Sequence, residues 1–129
     1  MKIKLVCASF FLVITWSCVK TQERITLIDP NAFEQQMNVV SSQIIDVRTP
    51  VEYAEGHIAN AININVNEAD FTLQIIDLDK NKPVMVYCKA GGRSAKAASI
   101  LKDKGFKQVY DLDGGMIGWN KSKKKVVND

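Results

Sequence analysis

The chain has 129 residues, 47% of them hydrophobic and 24% charged, which is enough for one globular domain with a buried core and too little for two. Its formal charge is +3, and setting aside Lys2 and Lys4 of the N-terminal segment leaves 15 basic residues against 14 acidic ones. That balance excludes a polyelectrolyte binder of nucleic acid, and the one basic cluster, Lys121 with Lys123, Lys124 and Lys125, reads as a frayed, solvated tail over 121–129.

The N-terminus reads as an address. A basic start is followed by an apolar stretch through Trp16 that is unbroken by charge and shorter than the ~20 residues of a spanning helix, so residues 1–17 are expected to be a signal peptide. Ser17-Cys18 at its end resembles the lipobox of bacterial lipoproteins, although Thr15 and Trp16 stand where that pattern prefers leucine and a small residue. The resemblance implies lipidation of Cys18, a short tether over 18–23 and a lipid-anchored protein on the periplasmic side of a bacterial envelope. Ordinary secretion is the alternative.

Beyond this segment, strand-like and helix-like stretches alternate. RITLI (24–28) is a candidate strand, and Asp29-Pro30 then caps a helix that carries Phe33 and Met37. SQIIDV (42–47) is a β-branched run suited to a buried strand, and Thr49-Pro50-Val51-Glu52 has the form of a capping box for a short helix ending by Gly56. AININV (61–66) is a third strand. From Asn67 onward, Phe71, Ile75 and Leu78 share one side of an expected helix. VMVYC (84–88) is the fourth strand, and Ser94 to Lys104 an expected helix with Ala95, Ala98 and Leu101 on one side, stopped by Gly105. QVYDL (108–112) is the fifth strand, with a last short helix beginning in GGMIGW. The alternation predicts one α/β domain with a central, mostly parallel five-stranded sheet flanked by helices.

Cysteine usage isolates one thiol. Cys7 lies in the apolar signal and Cys18 at its end, so Cys88 is the only thiol left to the folded domain, and no internal disulfide accounts for it. A buried free cysteine commonly acts as a small hydrophobe. Position argues otherwise here, because Cys88 closes a strand and opens the loop into a helix, where ligands gather in open α/β sheets. In CKAGGR, the glycines Gly91 and Gly92 permit a nest of backbone amides around one point, and Arg93 adds a permanent charge. A thiolate facing amides, a helix start and a cation is expected to form below the free-cysteine value of ~8.5. Cysteine phosphatases and sulfurtransferases both use such a loop. The Cys-x5-Arg phosphatases place five residues between cysteine and arginine, whereas only Lys89, Ala90, Gly91 and Gly92 intervene here.

At this point the chain resembles the single-domain rhodanese family. IIDVRTPVEYAEGHIANAININ is similar to the family's first signature, VMVYCKAGGRSAKAASILKDKGF to its active-loop strand and helix, and VYDLDGGMIGW to its closing signature. Asn60 and Asn65 depart from the Gly and Pro often found at their positions. The resemblance implies a three-layer rhodanese-like domain over 24–120, a catalytic loop from Cys88 to Arg93, and transfer of sulfane sulfur through a Cys88 persulfide. It makes thiosulfate or a persulfide the donor and a thiol or cyanide the acceptor, with a thiol-redox protein as a further candidate partner.

Roles follow by residue. The amides of 89–93 are expected to stabilise the sulfur anion, with Arg93 steering anionic donors or tying the loop down by a salt bridge. Lys89 either attracts anions or is simply solvated. Asp46 and Arg48 are expected to support the loop, His57 to be structural, and Trp119 to be core. No metal site, cofactor or nucleic-acid partner is expected, and the protein is expected to be a monomer. A cysteine phosphatase or arsenate-reductase-like enzyme on the same fold, and a non-catalytic rhodanese-like binding module, stand as the alternatives.

Overall fold

The computed structural model describes residues 24–39 and 41–129, together with residues 13, 14 and 17. The rest of the signal segment and the tether, with Cys7 and Cys18, lie outside the described residues. Five strands form one sheet: β1 (Arg24–Ile28), β2 (Gln43–Asp46), β3 (Ile62–Asn63), β4 (Val84–Tyr87) and β5 (Gln108–Leu112). Their order is β1-β5-β4-β2-β3, and every pairing is parallel. The expected sheet is therefore present, and among the described residues all five of its strands run parallel.

Burial on both faces explains why the central strands read as continuous apolar runs. In β4, Val84 and Val86 join a cluster with Ile45, Ala97, Ala98, Leu101 and Val109. Met85 and Tyr87 point the other way, into a cluster with Phe33, Ile58, Leu112 and Trp119. Phe33 meets the rings of Tyr87 and Trp119 edge-on, at 6.3 and 6.0 Å between centroids.

The helices are α1 (Pro30–Met37), α2 (Pro50–Glu55), α3 (Phe71–Gln74), α4 (Gly92–Asp103) and α5 (Gly115–Lys121). Asp29 caps α1 by accepting from the Ala32 amide, and Thr49 with Glu52 makes the capping box of α2. Three expectations are corrected. The helix expected from Asn67 is only α3 followed by a 3₁₀ turn over Ile75–Asp77, although Phe71 and Ile75 are buried and Leu78 packs against the same cluster. The apolar side was right, and the helix too short to sustain it as one element. The third strand keeps just two residues, since it pairs only with β2 at the sheet's edge. In α4 the buried positions are Ser94, Ala97, Ala98 and Leu101, and Ala95 faces solvent.

The C-terminal segment is not frayed. Lys125 accepts from the Trp119 indole at 2.9 Å, and Val127 exchanges two backbone bonds with His57, at 2.8 and 2.9 Å. Lys124 pairs with Glu34. Aromatic and backbone partners hold this strap against the domain, so the segment is not frayed, while Lys121, Lys123 and Lys125 are exposed as expected. Asn60, in place of the more usual glycine, adopts φ 65°, a left-handed conformation that asparagine tolerates.

Candidate active site

Strand order reverses at β4. The chain reaches β2 and β3 on one side of it and β5 with β1 on the other, so the carboxyl end of β4 opens at the switch point. Cys88 stands directly after β4 and is 1% exposed. Its sulfur is the floor of the loop and not its rim.

The loop curls over this floor. The Gly91 amide donates to Cys88 Sγ at 3.0 Å. Gly91 reaches that position with φ 124°, a conformation that side chains disfavour, whereas Gly92 is the first residue of α4 with no such requirement. One glycine, not two, therefore carries the geometry. Of the amides expected around sulfur, the one from Gly91 makes the hydrogen bond, while the first turn of α4 presents further amides without intrahelical partners. Ser94, which the sequence reading did not single out, lies fully buried beneath the loop. Its hydroxyl is 3.5 Å from Cys88 Sγ and donates to the Gly91 carbonyl at 3.1 Å.

A second set of bonds fixes the loop from outside. On α5, the Met116 amide donates to the Cys88 carbonyl at 2.9 Å and the Ile117 amide to the Lys89 carbonyl at 3.0 Å. Gly115 permits this approach: a β-carbon there would lie 2.5 Å from the Cys88 oxygen and 2.7 Å from the Lys89 carbonyl. The closing GGMIGW segment is thus the back wall of the Cys88–Arg93 loop.

Arg93 is paired with Glu52. Its two terminal nitrogens bind Glu52 at 2.7 and 2.9 Å, so it anchors α4 to α2 and its charge is matched. The bond from Arg93 holds the Glu52 carboxyl down at about 2, against partial burial, with Thr49 assisting. Glu52 raises the Arg93 value in return. Of the two roles expected for Arg93, the geometry matches the tether.

Asp46 and Arg48 form their own buried pair. Arg48 Nη2 lies 2.6 Å from Asp46 Oδ2 and also donates to the Gly56 carbonyl at 2.7 Å. Burial opposes the Arg48 charge, and the bond to Asp46 overrides it. Neither residue bonds to the Cys88–Arg93 loop directly; they fix the turn from β2 into α2, and the tether to the loop is Glu52. The capping-box pattern revealed Glu52 as a cap, but nothing local announced its partner 41 residues away. Ser94 was legible in principle, since 94, 97, 98 and 101 follow the i, i+3, i+4, i+7 phase of a buried helix stripe.

His57 is structural. Nδ1 lies 2.8 Å from the Tyr53 carbonyl, the ring stacks on Tyr53 at 3.7 Å, and Nε2 meets Asp129 at 3.2 Å. Trp119 is core, 2% exposed, and additionally holds the strap. Lys89 and Ala90 are exposed on the loop. Lys89 borders a groove of about 250 Å³ that Arg48, Glu55, Ile117, Asn120 and Val126 also line. Val126 of the strap forms part of its wall. Among the described residues, no three His, Cys, Asp or Glu side chains are grouped to hold a metal ion.

The rhodanese-like domain family matches residues 29–122, and the chain belongs to it. Among curated relatives, thiosulfate sulfurtransferase GlpE of Pseudomonas fluorescens is 41% identical over 91 residues, covering 70% of this chain and 81% of that protein. The tRNA uridine(34) hydroxylase of Pelagibacter ubique is 36% identical over 99 residues, covering 76% of this chain. The chain spans about a third of the length of that hydroxylase, 33%. Among solved structures, a rhodanese-related protein from Thermoplasma volcanium superposes with a TM-score of 0.70 at 31% identity, covering 81% of this chain and 99% of that one. Its relatives thus include both sulfurtransferases and tRNA hydroxylases on one fold.

Proposed function

We propose that the protein is a sulfurtransferase in which Cys88 carries sulfane sulfur as a persulfide. The Cys88 thiolate attacks the outer sulfur of thiosulfate, a new S–S bond forms, and the original S–S bond breaks with its electron pair leaving on sulfite. An acceptor nucleophile then attacks the outer sulfur of the persulfide and regenerates the thiolate, with cyanide giving thiocyanate and a thiol giving a new persulfide. An organic persulfide serves as donor by the same steps, releasing its thiol.

One observation carries this reading. The six-residue loop closes on Cys88 through the Gly91 amide while Arg93 is bound to Glu52, so the cradle is small and offers no unmatched arginine to a phosphate. A phosphatase needs a cation and several donors around a tetrahedral dianion; a single sulfur atom on Cys88 needs only the adjacent amides. The likeness to a thiosulfate sulfurtransferase over four-fifths of that protein's length also favours sulfur transfer by the domain alone. Exposed Lys89 supplies the positive charge at the groove that draws an anionic donor.

The deciding assay pairs thiosulfate with cyanide in one arm and offers an aryl phosphate in the other. Thiocyanate formation that disappears in Cys88→Ser supports the reading. Cys88-dependent phosphate release without thiocyanate overturns it in favour of a phosphatase, and inactivity in both arms favours a binding module. We further propose that Cys18 is a lipidated N-terminus holding the domain at the periplasmic face of a bacterial envelope membrane. The basic start, the apolar run and Ser17-Cys18 support that placement. A mature native protein that starts elsewhere without acyl groups would contradict it.

A further inference from the structure

A second groove lies apart from the Cys88 loop. It holds about 310 Å³ between α3 with its 3₁₀ turn and the end of α4, and it is lined by buried Ile75 and Phe106, by Leu73 and Ile76, and by Lys80 and Lys104. Leu73 and Ile76 stand three residues apart, so they share one side of the turn, and they are 67% and 65% exposed. Large apolar side chains left to solvent together, beside a groove, mark a docking surface in a way that scattered single ones do not.

Its place in the fold says what it faces. All five strands run parallel, so the sheet has a carboxyl edge, where Cys88 follows β4, and an amino edge at the other end. Lys80 precedes β4, and Lys104 and Phe106 precede β5, which puts the groove at the amino edge. The two approaches are joined there, because the Lys107 amide donates to the Lys80 carbonyl at 3.1 Å. Next to Lys107, Gln108 is the register partner of Arg24, the first residue of β1. Residues 1–23 therefore join the domain at the groove's edge of the sheet and at the end opposite Cys88.

Charge narrows the occupant. Lys80, Lys82, Lys102, Lys104 and Lys107 are exposed at this edge against Asp77, Asp79 and Asp103, and of these lysines only Lys82 has an acidic partner among the described residues, Asp79 at 3.9 Å. Apolar side chains bordered by unpaired lysines match an anionic bilayer, whose acyl boundary takes the one and whose headgroups take the other.

We propose that the amino edge is a membrane-docking face, in which Leu73 and Ile76 enter the headgroup boundary, Lys80 and Lys104 meet anionic headgroups, and the Cys88 loop is held away from the bilayer. The inference rests on the lipid-anchor reading for its setting, and on the groove with its lysines for its substance. A tether over 18–23 reaches about 20 Å at full extension, less than the ~30 Å diameter of a small domain. An anchor at residue 18 thus keeps this edge at the membrane, and sulfur donors and acceptors reach Cys88 from the aqueous side.

The test holds the full chain, carrying Cys18→Ser and an added N-terminal hexahistidine, on vesicles of phosphatidylglycerol and phosphatidylcholine in equal parts through a nickel-chelating lipid. Attachment then does not depend on acylation. Lysines are acetylated with a water-soluble amine reagent and followed one by one by mass spectrometry. Lys80 and Lys104 are expected to react about fivefold more slowly on the vesicles than in solution, the factor by which one lysine near an anionic surface favours the docked state. Lys89, beside Cys88, keeps its solution rate. Leu73→Ser combined with Ile76→Ser, at exposed positions outside the core, is expected to return Lys80 and Lys104 to their solution rates. Solution rates at both lysines on the vesicles overturn the proposal, as does slowing of Lys89 in their place or protection that survives the two serines. Protection that appears without vesicles and grows with protein concentration also overturns it, in favour of a second copy of the chain on the groove. A natural N-terminus found without acyl groups removes the anchor reading and leaves the vesicle result to decide this one.

Discussion

Both terminal nitrogens of Arg93 bind the carboxylate of Glu52, at 2.7 Å to Oε2 and 2.9 Å to Oε1, joining the start of α4 to the start of α2. The same Oε2 accepts from the Thr49 amide at 3.0 Å. One carboxylate thus caps α2 and pins the start of α4, which makes the geometry of the Cys88–Arg93 loop depend on a residue of another helix.

If the pair serves to hold the loop, Glu52→Gln and Arg93→Ala should lower sulfur transfer by similar factors, and their combination should do little more. A double-mutant cycle on urea midpoints should return a coupling of about 1 kcal/mol, since both side chains are partly exposed and solvent screens the pair. Independent, additive losses would mean that Arg93 acts on the donor and not through Glu52.

Acid should release the same tether. The folded Glu52 carboxyl titrates at about 2, below its ordinary 4.5. Its contribution is therefore complete above pH 4.5 and is lost as pH falls through 2. The stability gap between the parent protein and Glu52→Gln should shrink across that window in urea titrations run at successive pH values. A gap that stays constant would place the stabilisation elsewhere.

Gly115→Ala should be among the most damaging substitutions. Its β-carbon would meet the Cys88 oxygen at 2.5 Å, with φ 55° adding backbone strain. The loop backbone cannot yield without moving the sulfur, so a loss of roughly 2–4 kcal/mol in stability is expected together with a fall in Cys88 reactivity. Thermal melts and alkylation rates measure the two; an unchanged alkylation rate would show that α5 does not set the loop.

Removal of residues 123–129 should destabilise the domain despite their charged composition. The strap supplies the acceptor for the Trp119 indole and two backbone bonds to His57. Losing three such bonds at about 1 kcal/mol each predicts a lower urea midpoint by roughly 2–3 kcal/mol in free energy. An unchanged midpoint would restore the reading of a frayed tail.

What the sequence disclosed follows from how local each signal is. Caps at Asp29 and Thr49, buried runs such as VMVY and the strand-cysteine-loop-helix order are written in contiguous residues, and they were legible. Glu52 with Arg93, and Ser94 with Cys88, depend on how neighbouring elements meet in space. The Asn67 helix failed for a different reason. Its apolar spacing is real, but the segment between β3 and β4 needs only to cover one sheet face, and α3 plus a 3₁₀ turn does so. The strap was misjudged because composition reports charge and not the backbone bonds of Val127 or the carbonyl of Lys125.

The central claim is that Cys88 holds one transferable sulfur. Intact mass spectrometry of the purified protein, before and after thiosulfate, tests it most directly when followed by addition of cyanide. The expected result is a gain of one sulfur atom located on the Cys88 peptide, absent in Cys88→Ser, and its loss to cyanide as thiocyanate. A Cys88 that stays unmodified across thiosulfate and organic persulfide donors, or a sulfur that cyanide cannot remove, would contradict it.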